Sequence, residues 1–153
     1  ATQDPFDTRP DRYASAHYVV GLEGEIYQIM PEDEVAYHCG ASTYTADARE
    51  ELGVYCSATS SPNWCSIGIE LCHPDWTGRF RLETLEAAAE LAANLAFRYR
   101  LPSSKIWRHY DITGKRCPRY WVDNDVRLDE FRREVDITLK NVTQRANYGE
   151  SIE

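Results

Sequence analysis

Within nine residues, His109 to Cys117 bring together an imidazole, a thiol and, at Lys115, an ammonium group. Imidazole nitrogen and thiolate sulfur both suit zinc. The eight-residue step between them is too long for one helical turn. A chain reversal at Thr113-Gly114 would still bring both donors to one ion, with Lys115 as a fixed positive charge two residues before the thiolate. Three readings of the pair stand side by side. His109 and Cys117 are zinc ligands beside a third protein ligand and an open position for water, or a Cys-His nucleophilic pair, or a turn cysteine near a strand-end histidine with no chemical role. Hydrolysis is the chemistry that the first two share.

Glu70 is the second unusual residue. It interrupts the apolar run Ile67-Gly68-Ile69, where a buried carboxylate without a partner is costly. Such a group is a candidate general acid or base, against the plainer reading of a strand-edge glutamate paired to an arginine. Gly68, two residues earlier, allows another backbone or a ligand to approach closely. His38 lies in Ala36-Tyr37-His38-Cys39-Gly40 and either lines a groove or is a partly exposed residue without a role. His17 opens a strand and reads as a satisfied structural histidine, and His73, beside Pro74, as a surface residue. Trp64, Trp76, Tyr44 and Tyr55 are aromatic walls for sugar rings or core residues.

The elements that must position these groups follow from pattern. His17–Leu22 and Gly24–Met30 form a hairpin turning at Glu23-Gly24. Asp33–Ala36 adds a short helical turn. Residues 40–65 show no period and read as one long loop. Cys65–Cys72 is a short strand ended by a turn at Pro74–Gly78. Leu82–Arg100 is the strongest helix, with Leu82, Leu85, Ala88, Ala89, Ala92, Leu95, Ala96 and Tyr99 at three- and four-residue steps. Lys105–His109 is expected as a strand delivering His109 at its carboxyl end. A second amphipathic helix starts near Asp123, and residues 141–153 are a polar tail. Strands mixed with a helix able to span them give the α/β class.

At 153 residues the chain fits one domain with a sizeable core. A net charge of −8 argues against general nucleic-acid binding. No apolar run approaches the roughly 20 residues of a membrane span. The basic group Arg108, Lys115, Arg116 and Arg119 surrounds the proposed site and would favour anionic or developing negative charge. Of five cysteines, Cys39, Cys56, Cys65 and Cys72 remain if Cys117 is a ligand, and their spacing leaves disulfides and free thiols equally open. The start, Ala1-Thr2-Gln3-Asp4-Pro5, shows no signal-peptide pattern and no initiator methionine, which suggests a processed or incomplete product.

Taken together, these residues resemble the zinc-dependent N-acetylmuramoyl-L-alanine amidases of the type 2 family, which includes phage endolysins, bacterial autolysins and peptidoglycan recognition proteins. Four segments carry the resemblance, which spans about residues 15–135. Ser15–Val20 resembles the strand after the first ligand loop, and Ala36–Gly40 the family's Ala-Trp-His-Ala-Gly turn. Asn63–Glu70 resembles its Asn-x-x-Ser-Ile-Gly-Ile-Glu strand, and Arg108–Asp111 with Lys115–Pro118 its last ligand block. The resemblance implies a single catalytic domain over residues 1–140, with a central mixed β-sheet flanked by helices. It implies one zinc ion held by His109 and Cys117, Glu70 as the catalytic carboxylate, Lys115 steadying an oxyanion, and His38, Asn63 and Trp64 as substrate contacts. The implied reaction is hydrolysis of the amide between N-acetylmuramic acid and L-alanine of peptidoglycan, by a monomer acting at the bacterial cell wall. Two departures stand out. No histidine precedes His17, so the family's first ligand and its strand are expected upstream of Ala1, and Ala16 stands where many relatives carry an aromatic residue. With one ligand outside the chain, a module of the same fold that binds peptidoglycan without cutting it is the alternative.

Overall fold

Successive side chains of a strand point to opposite faces, and that alternation sets the layout of this molecule. The computed structural model describes residues 14–148. In β1 (Tyr18–Val20), Tyr18 and Val20 are buried in the core while Val19 faces the other way. β2 (Ile26–Gln28) pairs antiparallel to β1, with Val19 opposite Tyr27. β3 (Ile69–Leu71) pairs parallel to its other edge, with Val19 opposite Glu70. The sheet is therefore mixed, in the order β2-β1-β3. Ile69 and Leu71 pack with Tyr18 and Val20, so Glu70 is directed to the face away from that core. The expected hairpin is present, and the expected Cys65–Cys72 strand is reduced to its last residues.

The core face is covered by helix, as the α/β reading anticipated. α2 (Leu82–Tyr99) presents Ala88, Ala89, Ala92, Ala93 and Ala96, whose small side chains let the helix lie close to the sheet, with Leu91 and Leu95 filling the margins. Thr84, fully buried, donates its hydroxyl to the Gly21 carbonyl at 2.8 Å, so the helix docks on the hairpin without an orphaned polar group. α5 (Val126–Asn147) packs along α2 through Leu128, Phe131 and Val135.

Of the expected polar tail 141–153, residues 141–147 are the last turns of α5, and residues 149–153 lie outside the described residues. Val142 is buried and extends the stripe of Leu128, Phe131, Val135 and Leu139. Residues 40–65 are not one loop: they contain α1 (Ala46–Leu52) and single 3-10 turns at Gly53–Tyr55 and Pro62–Trp64. Thr45 caps α1 by accepting from the Ala48 amide, and its own hydroxyl donates to the Asp111 carbonyl at 2.6 Å. No helical turn forms at Asp33–Ala36, where the chain makes an irregular turn. The predicted strand Lys105–His109 is absent. Ser103–Lys105 is a 3-10 turn, and the Ile106 carbonyl is satisfied by the Arg132 guanidinium at 2.5 Å in place of a neighbouring strand.

The segment after β2 is fastened to α2 by one carboxylate. Glu32 accepts from Tyr18, from Arg98 at 2.6 and 3.0 Å and from Tyr99 at 2.6 Å. Burial would raise the Glu32 carboxyl, but these hydrogen bonds outweigh it and bring it down to about 2. A depressed carboxyl stabilises the fold above its ordinary range and loses that contribution as pH falls through its folded value. Glu32→Gln should therefore lower the urea midpoint at neutral pH, and the gap between variant and parent should close as pH falls from about 5 to about 2.

Candidate active site

His109 opens α3 (His109–Thr113), a short helix positioned by the residue before it. The Arg108 guanidinium pairs with Asp111 at 2.8 Å and donates to the Trp121 carbonyl at 3.0 Å, while Asp111 accepts from the Arg108 amide at 2.8 Å. Asp111 thus accepts from both the guanidinium and the amide of Arg108, which ties down the helix start and with it the imidazole. The helix stops at Gly114, whose φ of 78° lies in the left-handed region that glycine adopts without strain. From there the chain reverses, and the Tyr110 amide donates to the Cys117 carbonyl at 3.0 Å. The turn expected at Thr113-Gly114 thus exists and brings Cys117 back beside the start of α3. After Cys117-Pro118 the chain enters α4 (Arg119–Asp123).

Four of the sequence-predicted residues meet electrostatically. Lys115 acts on Glu70, His109 and Cys117, and Glu70 also acts on Cys117. Burial raises the Glu70 carboxyl above its ordinary value, and Lys115 offsets only part of this. The residue nevertheless keeps solvent-accessible surface. Its carboxyl is therefore exposed at the surface and at the same time desolvated by neighbouring protein atoms. Burial lowers His109 to about 4, with Lys115 and His38 adding to the effect, and burial raises the Cys117 thiol. These shifts oppose the thiolate–imidazolium form that a Cys-His nucleophile needs. The expected basic surround is smaller than its residue count suggests. Arg108 is taken up by Asp111 and Asp125 and Arg116 by Asp123, while Lys115 acts on Glu70, His109 and Cys117.

As a metal site, the pair offers one nitrogen and one sulfur donor of the kinds zinc prefers, and the neutral imidazole is the ligating form. Among the described residues, no group of three or more His, Cys, Asp or Glu is arranged to hold a metal. The first ligand expected from the family resemblance lies outside the described residues. All five cysteines are free thiols, and Cys39 is buried.

His38 lies within electrostatic reach of His109. Burial lowers its imidazole to about 4. Trp64 is 60% exposed, as a substrate wall would be, and Trp76 is likewise exposed. Tyr44 packs instead on the small cluster of Cys39, Ala48 and Ile112. Asn63 differs from its expected role as a substrate contact: it is buried, and its side-chain oxygen accepts from the amides of His38 and Cys39 at 3.0 and 2.8 Å. His17 is the satisfied structural histidine expected. Its Nδ1 accepts from the Gly68 amide at 2.9 Å and its Nε2 donates to the Glu34 carbonyl at 3.0 Å, which fixes the tautomer. The tie between Arg108 and Asp111 has no sequence signal, because arginine is not a capping residue type.

Comparison with known proteins gives the chain's relatives. The profile of the N-acetylmuramoyl-L-alanine amidase family matches residues 1–120, a range that includes His38, Glu70, His109, Lys115 and Cys117. The N-acetylmuramoyl-L-alanine amidase CwlL of Bacillus licheniformis is 41% identical over 131 residues, which are 85% of this chain and 33% of that protein. The amidase BlyA of Bacillus subtilis strain 168 is 35% identical over 124 residues, covering 80% of this chain and 33% of its own length. This chain therefore spans about a third of the length of these curated relatives. Among solved structures, the catalytic domain of XlyA superimposes with a TM-score of 0.53 at 25% identity, covering 83% of this chain and 69% of that one. A mutant endolysin from Bacillus subtilis gives the same score and identity over 82% and 68%. On the profile match and these relatives, the chain belongs to the N-acetylmuramoyl-L-alanine amidase family.

Proposed function

We propose that this chain is the catalytic part of a peptidoglycan amidase that hydrolyses the amide between N-acetylmuramic acid and L-alanine. The observation that carries this reading is the mutual electrostatic contact of Glu70, Lys115, His109 and Cys117, in a chain whose relatives are named for that activity. Glu70 accepts a proton from the attacking water and returns it to the leaving amine. Its raised carboxyl suits both halves of that exchange. Lys115 stabilises the negative charge that builds on the carbonyl oxygen, a kind of contribution typically worth about 10²–10³ in turnover. His38 and Trp64 contact the substrate. His109 and Cys117 hold one zinc ion together with a further ligand, and zinc when bound supplies Lewis acidity and a water of lowered pKa. The protein acts as a monomer at the bacterial cell wall, reached by secretion or by phage release.

Digestion of purified cell walls tests this. New amino-terminal L-alanine should appear with zinc present, stop on chelation and return when zinc is restored. The second reading is binding without cleavage. It predicts co-sedimentation with cell walls but no new amino termini at any zinc concentration.

A further inference from the structure

The Asn63 side-chain oxygen has two lone pairs and receives three donors: the His38 amide at 3.0 Å, the Cys39 amide at 2.8 Å and the Cys39 thiol at 3.3 Å. That oxygen is saturated within the protein, and the residue is 4% exposed, so it has no free acceptor for a substrate. What it does instead is hold the turn that carries His38. Gly68 bounds the same ring from the sheet. A Cβ there would lie 2.4 Å from His38 Cγ and 2.6 Å from Cδ2, closer than side-chain atoms approach one another. The atoms in the way belong to the inner end of the side chain, so the ring would have to move as a unit. On a third side the His17 ring meets it edge-on at 5.9 Å between centroids, and His17 is itself tied to the Gly68 amide. His38 is thus confined by its backbone, by the bare Cα beneath it and by a neighbouring ring.

We propose that Asn63 and Gly68 are positioning residues that act through His38, holding its imidazole in one orientation near His109. The inference rests on the amidase reading only in treating His38 as a substrate contact. The positions of both residues in the chain explain why they are paired. Asn63 lies in the 3-10 turn Pro62–Trp64 and Gly68 immediately precedes β3, two residues before Glu70, so one short segment sets His38 and the catalytic carboxylate together.

A double-mutant cycle on the zinc-loaded protein with a soluble muropeptide tests it. Gly68→Ala alone should lower kcat/KM by about 10²-fold, as expected for ångström-scale misplacement of a group in a site. In the His38→Ala background the obstructing ring is gone, with only Cβ remaining at 2.9 Å. There, adding Gly68→Ala should cost less than about threefold, the non-additivity of residues that share one interaction. Equal cost in both backgrounds would overturn the proposal, because Gly68 would then act without His38. Asn63→Ala should also shift the His38 ring resonances, identified by their loss in His38→Ala. Asn63→Asp, which keeps the acceptor oxygen, should hold the ring proton–proton contacts between His38 and His17 that Asn63→Ala loses. Unchanged His38 resonances and ring contacts in Asn63→Ala would remove Asn63 from the proposal. The resonance experiment needs no turnover, so inactivity of the parent protein would count against the amidase reading while leaving the positioning result readable.

Discussion

Glu70→Gln should lower turnover of muropeptide by about 10²–10⁴-fold, the range for loss of a general acid–base group, while raising the melting temperature of the metal-free protein. The two effects have one cause. Glu70 extends from β3 onto the open face of the sheet beside Val19, where burial raises its carboxyl. Relative to the unfolded chain the folded protein favours the protonated form, so the contribution to stability is present below the ordinary glutamate range. It is lost as pH rises through the raised value, and at neutral pH the ionised group weighs against the fold. Glutamine keeps the shape and removes the charge. The metal-free variant should therefore be the more stable protein at pH 7, with a smaller decline in melting temperature between acidic and neutral pH. A variant both inactive and less stable would point to a structural glutamate. A variant that retained activity would remove Glu70 from the chemistry.

The sequence carried this site well because its chemistry is written in short segments. Glu70 stands out against Ile67-Gly68-Ile69, and Thr113-Gly114 marks the reversal between His109 and Cys117. The helix α2 is legible for the same reason, since its alanines and leucines repeat at the helical period. What sequence reasoning lost depends on partners distant in the chain. Ile106 looks like a strand residue, but its carbonyl is taken by Arg132, 26 residues on. Asn63 looks like a groove residue beside Trp64, yet its oxygen is engaged by a turn 24 and 25 residues earlier. The α1 helix was hidden because Thr45 docks it onto α3 through Asp111, a support with no local trace. The C-terminal end of α5 reads as tail in sequence because its polar residues mask a single apolar line that continues to Val142.

Trp121→Ala should destabilise the protein by about 3–5 kcal/mol, the usual cost of truncating a buried tryptophan, against a typical domain stability of about 5–15 kcal/mol. Trp121 is buried between Phe80 at 5.4 Å and Phe131 at 5.1 Å, and it joins α4 to the core that α2, α5 and the sheet share. Its backbone carbonyl also accepts from Arg108, the residue that caps α3 and so positions His109. Removing the indole should therefore do more than lower the urea midpoint. As α4 relaxes into the cavity, the carbonyl shifts under Arg108 and the loss reaches the site. Val135→Ala provides the comparison: Val135 is fully buried on α5 and makes no contribution to the α3 cap. Measured at a temperature where both variants remain folded, Val135→Ala should keep parental kcat/KM while Trp121→Ala falls well below it. Equal activities would mean that the core and the active site are coupled only through global stability, and that the Arg108 bond to α4 transmits nothing.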